Sequence, residues 1–166
     1  MSRGVDYSGS LSSSTVTDIF EEMIYELLNF PVYGDHDGCL VALEEGENFP
    51  FDIKRVYYVW GTRDDMVRGK HAHRRLEQVI VCVSGSCDFI LDDGQDRAII
   101  HLHTPTQGLY IKSNIWREFT HFSPDCVVVV LASECYDESD YIRSYEQFRS
   151  EVSQRSAEGN ESGSSF

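Results

Sequence analysis

The sequence predicts an all-β domain, an antiparallel sandwich or barrel, and three observations favour this class. Between about residues 38 and 133 the chain has seven short apolar runs typical of strands, at 39–45, 53–61, 78–85, 87–94, 97–103, 107–113 and 126–133. Turn signals separate these runs, including Asp37-Gly38 and the stretches at 92–94 and 123–125. No helical pattern lies between them, and many short strands without intervening helices favour a sandwich or barrel.

Helices are predicted only at the two ends of this region. Residues 16–28 carry apolar side chains at helical spacing, and Pro31 ends that segment. Residues 137–150 form a second predicted helix, which opens with acidic residues. The predicted organisation is an N-terminal extension with one helix (1–30), one β domain (31–150) and a polar, disordered tail (151–166).

The charge of the chain limits its partners. Its formal net charge is -14, which repels nucleic acid and anionic membranes, so neither is expected as a partner. A nucleotide site would have to hold local arginines against this background. The N-terminus lacks the apolar stretch of a secretory signal, and the five cysteines are odd in number and form no CxxC pair. We therefore expect a cytoplasmic protein with buried free thiols.

The segment RGKHAH, at 68–73, holds the most informative pair of side chains. On an extended strand His71 and His73 point to the same face, and two imidazoles inside a barrel are costly to bury without a purpose. The alternative is a structural or surface pair. Arg68 beside them is a candidate phosphate ligand, since a guanidinium forms a bidentate fork to phosphate oxygens. Its alternative role is a salt bridge at the rim of the barrel.

This segment resembles the first cupin motif. In that motif an acid or amide follows HxH by four or five residues, and a glycine stands about seven residues further on. Four longer segments, RGKHAHRRLEQVIVCVSGSCDFILDDG, IKRVYYVW, GLYIKSNIW and FSPDCVVVVLASECYDESDYIRSY, resemble the WxcM-like nucleotide-sugar 3,4-ketoisomerases, which act on dTDP-4-keto-6-deoxyhexoses. The resemblance covers about residues 31–148. It implies a jelly roll (double-stranded β-helix) and a homodimer with exchanged N-terminal strands. The implied reaction converts dTDP-4-keto-6-deoxy-D-glucose to a 3-keto sugar in deoxyaminosugar biosynthesis for surface polysaccharide.

A metal is the natural competitor, because many cupins bind one through HxH, a glutamate and a later histidine. Here Gln78 has better spacing to Gly85 than Glu77 has, and the segment around Trp116 lacks a histidine at the usual place. His121 is close but out of pattern. We therefore expect no metal and no other cofactor, in agreement with the metal-independent catalysis that the resemblance implies. A metal-dependent cupin enzyme remains the alternative.

Two histidines suit the implied chemistry. Moving a ketone from C4 to C3 requires a base for the C3 proton, a donor for the enediolate oxygen and a proton for C4. Neutral imidazole is a suitable base near pH 7. The resemblance assigns His71 as the base and His73 as shuttle or donor. Tyr57 shares a strand face with Arg55, so Tyr57 can relay a proton while Arg55 pairs with a phosphate. Alternatively Arg55 is exterior and Tyr58 fills the core.

Further side chains are candidates for substrate binding. Gln78 stands beside the motif, Tyr110 and Trp116 offer aromatic walls for the sugar or base, and Glu118 can bind a hydroxyl or orient a histidine. Structural roles are the alternative for all of these. Asp37 stands where relatives often have an arginine, which leaves the nucleotide contacts open. Two other functions compete: a non-catalytic nucleotide-sugar-binding module, and a 3,5-epimerase, although epimerases usually pair a single histidine with an acid.

Overall fold

Two five-stranded antiparallel sheets pack face to face in the computed structural model, which describes residues 25–161. In spatial order the first sheet holds β1 (Glu26–Asn29), β9 (Gln107–Ile111), β6 (Gln78–Ser84), β11 (Val127–Ala132) and β4 (Arg55–Trp60). The second holds β12 (Tyr141–Ile142), β5 (Arg68–His73), β10 (Trp116–Thr120), β7 (Cys87–Asp92) and β8 (Arg97–Leu102). A hairpin of β2 (Tyr33–Asp35) and β3 (Gly38–Leu40) stands apart. The predicted all-β jelly roll is confirmed.

The main core lies between the two sheets. Alternate side chains of each strand point into it, and most of the central strands therefore have an apolar inner face. The second sheet contributes Phe89 and Leu91, and the first contributes Val128 and Val130, all at most 4% exposed. A second apolar cluster covers the outer face of the first sheet around Val79. Both faces of that sheet are therefore apolar, so its strands do not show an alternation of apolar and polar residues in the sequence.

The predicted N-terminal helix is wrong over the part that the structure describes. Residues 16–24 lie outside the described range, but Glu26–Asn29 is a strand paired with β9, with Leu27 opposite Leu109. Leu27 packs against the core between the sheets, whereas Leu28 packs against the outer cluster. Consecutive leucines thus go to opposite faces, which is strand periodicity rather than a helical stripe.

The C-terminal helix begins later and ends later than the sequence predicts. Asp137 caps a short 3-10 turn at Glu138–Asp140, β12 follows, and helix α1 spans Tyr145–Glu161. Glu151 accepts hydrogen bonds from Arg74, the shorter at 2.7 Å, and Phe148 is fully buried. These contacts carry the helix past residue 150, so the predicted tail is corrected for residues 151–161. Within residues 25–161 no helix has the length and apolarity needed to span a membrane.

Candidate active site

A bulge in β5 sets the direction of the histidine pair. His71 lies opposite Arg117 of β10, but Gly69 lies opposite Glu118, so Lys70 is an extra residue in the ladder. Gly69 and Lys70 both have positive φ, of 82° and 56°. A Cβ at Gly69 would lie 2.7 Å from the Arg117 carbonyl oxygen, so only glycine fits there. The bulge therefore needs the glycine of the RGKHAH segment.

The bulge also places Arg68 on the same side of the sheet as His71. Arg68 lies opposite Phe119, and both line a cavity of about 420 Å³ with His71. The other lining residues that matter chemically are Arg55, Tyr57, Tyr141 and Arg143. A small inner recess of about 30 Å³, lined by Tyr57 and His71 among others, reaches Gln78 and Arg117. The structure therefore brings Arg55, Tyr57, Arg68, His71 and Gln78 together, as the sequence predicts.

The cavity is cationic although the protein is strongly acidic. The Nε and Nη2 atoms of Arg55 are buried without a hydrogen-bond partner in the described part of the chain. Arg68 is exposed at the cavity wall and forms no ion pair within residues 25–161. Arg143 is held by Glu138, with its Nε 2.7 Å from a carboxylate oxygen. Two arginines are therefore available for an anionic ligand.

His71 is the histidine that faces the cavity. Its ring centroid lies 4.8 Å from that of His73 and 5.0 Å from that of Tyr141. Burial, and then the positive charge of Arg117, lower the pKa of His71 to about 4, although a hydrogen bond with the Gly69 backbone opposes the shift. His71 is thus a neutral imidazole at pH 7, ready to accept a proton.

His73 is fully buried and held by a carboxylate. Its Nδ1 lies 3.1 Å from Oδ2 of Asp140, and that carboxylate also accepts the backbone N–H groups of Arg75 (2.9 Å) and Leu76 (3.3 Å). Burial, and then the charge of Arg117, lower the pKa of His73. The neutral ring therefore carries its proton on Nδ1, donates it to Asp140 and leaves Nε2 as a buried acceptor without a partner among residues 25–161. The sequence analysis missed Asp140.

A hydrogen-bonded row connects the cavity with the interior of the sheet. The Tyr57 hydroxyl accepts a 2.9 Å hydrogen bond from Gln78 Nε2, and Gln78 Oε1 accepts one from Arg117 Nη1. Arg117 also donates to the Ile115 carbonyl at 2.8 Å. Burial raises the pKa of Tyr57 and lowers that of Arg117 to about 10, so at pH 7 the first is protonated and the second charged. Arg117 was also missed by the sequence analysis.

Tyr110, Trp116 and Glu118 are not brought to the cavity, in contrast to the expectation from the sequence. Tyr110 lies opposite Val79 and joins the apolar cluster on the outer face of the first sheet. Trp116 and Glu118 flank the inward-facing Arg117 in the chain, so both point to the opposite face. There Trp116 packs against helix α1 and donates to Glu118 at 3.0 Å.

The donor set around the histidines does not fit a metal ion. His73 commits Nδ1 to Asp140, and Gln78 commits its amide to Tyr57 and Arg117. The guanidinium of Arg117 also repels a cation at this point. Within residues 25–161, the clusters of side chains close enough to share a metal contain neither His71 nor His73. No step of the chemistry is therefore assigned to a metal.

Comparisons with known proteins agree with this site. The family model "FdtA: WxcM-like, C-terminal" matches residues 23–153. The TDP-4-oxo-6-deoxy-alpha-D-glucose-3,4-oxoisomerase of Aneurinibacillus thermoaerophilus is 52% identical over 124 residues, which are 75% of this chain and 89% of the relative. A 3,4-ketoisomerase from Helicobacter canadensis superposes with a TM-score of 0.77 at 45% identity, covering 80% of this chain and 99% of that one.

A second similar structure contains a nucleotide sugar. It is a histidine-to-asparagine variant of QdtA, a 3,4-ketoisomerase from Thermoanaerobacterium thermosaccharolyticum, in complex with TDP-4-keto-6-deoxyglucose. Its TM-score is 0.78 at 42% identity, and the match covers 80% of this chain and 96% of that one. The family model spans most of the chain, and these relatives share its fold over nearly their whole length. This chain therefore belongs to the WxcM-like FdtA family and is an isomerase.

Proposed function

We propose that this enzyme converts dTDP-4-keto-6-deoxy-D-glucose to dTDP-3-keto-6-deoxyhexose through an enediol, by histidine-mediated proton transfer. One observation carries the proposal: a neutral histidine, His71, and a protonated tyrosine, Tyr57, line one cavity together with two unpaired arginines. This arrangement provides a base, a hydrogen-bond donor and an anion site. The names of the relatives, a TDP-4-oxo-6-deoxyglucose 3,4-oxoisomerase and several 3,4-ketoisomerases, support the same reaction.

The proposed reaction moves protons and leaves the composition of the sugar unchanged. His71 removes the proton on C3, and the electron pair of that bond forms the C3–C4 double bond while the C4 carbonyl oxygen gains charge. Tyr57 donates a hydrogen bond to that oxygen and lowers the energy of the enediolate. The proton of the C3 hydroxyl then passes to the C4 oxygen as C3 becomes the new ketone, and the proton that His71 took up is returned at C4. His73, next to His71 and fixed by Asp140, serves as the shuttle.

Arg55 and Arg68 are the proposed contacts of the substrate diphosphate. Arg55 contacts the Tyr57 ring, with its guanidinium carbon 5.2 Å from the ring centroid, and leaves Nε and Nη2 without partners. Buried donor atoms without a hydrogen-bond partner are costly, so a bound phosphate would relieve that cost. Arg68, on the bulge beside His71, provides a second donor to the same anion.

Proton NMR in deuterated water tests the function. With chelator-treated enzyme and dTDP-4-keto-6-deoxyglucose, we expect a 3-keto product with deuterium at C4, and deuterium at C3 of the substrate that the reverse reaction regenerates. Arg55→Met should weaken TDP binding by at least about tenfold, because a charge-assisted hydrogen bond contributes about 1.5–3 kcal/mol. Activity only after addition of iron or manganese would favour a metal-dependent cupin enzyme. Tight binding without any exchange would leave a binding module and refute the isomerase.

We also propose a homodimer formed through the outer face of the first sheet. β4 is an edge strand, and its outward side chains Val56, Tyr58 and Trp60 are 57%, 62% and 65% exposed. They form a contiguous apolar ridge, and Tyr58 and Trp60 have ring centroids 5.3 Å apart. An apolar groove of about 250 Å³ lies on the same sheet face, lined by residues such as Leu40 and Val81. Surface of this kind is typical of subunit interfaces.

The dimer is tested by one substitution on each sheet. Trp60→Lys should raise the dimer dissociation constant by about 30-fold or more, since central aromatic residues at interfaces often contribute at least 2 kcal/mol. Ile99→Lys is the matched control, because Ile99 is 70% exposed on β8 of the second sheet. Light scattering over a concentration series measures both. A monomeric wild type, or equal effects of the two substitutions, would contradict this interface.

A further inference from the structure

The row Arg117–Gln78–Tyr57 has a defined direction of hydrogen bonding. A guanidinium has only donors, so the Gln78 amide must turn its oxygen toward Arg117 and its NH₂ group toward Tyr57. The Tyr57 oxygen is then an acceptor at 2.9 Å, and its own proton must point elsewhere. Between residues 25 and 161 no side chain or carbonyl accepts that proton. Tyr57 borders the cavity beside His71, so the hydroxyl proton is left to point into it.

We propose that Arg117 and Gln78 are positioning residues that hold the Tyr57 hydroxyl as a hydrogen-bond donor toward the substrate. This inference rests on the proposed function and assigns separate roles to Tyr57 and His71. Tyr57 stabilises the charge that develops on the C4 oxygen, and His71 removes the carbon-bound proton. Gln78, which the sequence suggested as a substrate contact, is only 2% exposed and acts through Tyr57 instead.

The identity of residue 78 decides which group donates the hydrogen bond between residue 78 and Tyr57. A glutamate there would have nearly the same shape, but its carboxylate only accepts hydrogen bonds. It would accept from Arg117 at one oxygen and from the Tyr57 hydroxyl at the other. The tyrosine proton would then point away from the cavity, and a lone pair would face the developing negative charge. Gln78→Glu therefore reverses the direction of the hydrogen bond between residue 78 and Tyr57, while the packing and both hydrogen bonds of residue 78 are kept.

The reversal separates a directional role of Gln78 from a packing role. Gln78→Glu should lower kcat by on the order of 10²–10³, the usual cost of losing one oxyanion donor, with KM changed by less than about threefold. Gln78→Leu should be less stable because it leaves Arg117 without this partner, yet it should retain more kcat, since Tyr57 is then free to turn its proton to the substrate. If Gln78 only filled space, Gln78→Leu would have a lower kcat than Gln78→Glu. That order would overturn the proposal.

A double-mutant comparison tests whether the effect passes through Tyr57. In a Tyr57→Phe background, Gln78→Glu should cause no further loss of kcat beyond about threefold, because the hydroxyl it acts on is gone. Two independent losses that multiply would overturn the proposal. All four proteins are assayed at 25 °C after thermal unfolding has shown that each is folded.

A spectroscopic measurement keeps the inference independent of the reaction. If wild-type enzyme fails to exchange protons on dTDP-4-keto-6-deoxyglucose, the proposed function is wrong, but the direction of the hydroxyl can still be measured. With ¹³C-labelled tyrosine, the Tyr57 Cζ resonance should move downfield in Gln78→Glu, as the hydroxyl changes from accepting an amide hydrogen bond to donating to a carboxylate. An unchanged resonance would overturn the assigned direction whatever the activity.

Discussion

His71→Asn is expected to lower kcat by on the order of 10²–10⁴, the range for loss of a general acid–base group. Asparagine keeps a polar side chain in the same part of the cavity but has no basic nitrogen for the C3 proton. TDP affinity should change less than about threefold, because the unpaired arginines that face the cavity are unaltered. The rate of deuterium uptake at C3 measures the loss of activity, and calorimetry with TDP measures the affinity for TDP.

The pH profile provides a second readout for the same residue. His71 must be neutral to act, and burial lowers its pKa to about 4. Because protonation removes the base, activity should stay level as the pH falls to about 5 and decline only as it approaches 4. An acid limb near the ordinary histidine value of about 6.5 would contradict His71 as the base, as would a His71→Asn variant that still exchanges C3 deuterium.

The local sequence was sufficient for those parts of the site that lie within one strand. His71 and His73 share a face because they are two residues apart, and Arg55 and Tyr57 share one for the same reason. The spacing left open whether Arg55 and Tyr57 face inward, and the structure shows that both line the cavity with His71. Gln78 was located correctly beside the motif, although its partners Tyr57 and Arg117 lie 21 and 39 positions away. Its part in the hydrogen-bonded row was therefore invisible in the sequence.

Tyr110 and Trp116 show that the type of a residue does not reveal which face of a strand it lies on. Tyr110 and Trp116 are both buried, but on outer faces that another element covers, an apolar cluster in one case and helix α1 in the other. When both faces of a strand are buried, apolar residues stand at odd and even positions alike and the inward face cannot be identified. Leu27 and Leu28 show the same effect in β1, where adjacent leucines face different clusters and imitate a helical stripe.

Asp140 was missed because its function depends on contacts far along the chain. It stands in an acidic run that opens the predicted helix, and nothing local distinguishes it from Asp137 or Glu138. In the folded chain a 3-10 turn and the short strand β12 pair this segment with β5, and Asp140 is then 3% exposed beside His73, 67 positions away. A carboxylate that orients a histidine is thus a property of the topology.

Asp140→Asn is expected to affect both stability and catalysis. One oxygen accepts from the Arg75 backbone and the other from the Leu76 backbone and His73, so an amide NH₂ would face a donor in either orientation. Such a buried clash costs about 1–3 kcal/mol of unfolding free energy. With NH₂ toward His73 the imidazole proton moves to Nε2 and the shuttle loses its acceptor, which should lower kcat by on the order of 10²–10⁴.

Asp137→Asn is the matched control, because Asp137 lies on the same turn, is exposed and caps it, and asparagine preserves an N-cap. Urea unfolding at pH 7 should show a loss of less than about 0.5 kcal/mol for this control, as is usual for surface substitutions. The ¹⁵N shifts of His73 should report the tautomer, with Nδ1 protonated in wild type and Nε2 in Asp140→Asn. An Asp140→Asn enzyme with the wild-type tautomer and a wild-type kcat would show that Asp140 only supports the fold, since a merely structural carboxylate would change the unfolding curve without moving the proton on His73.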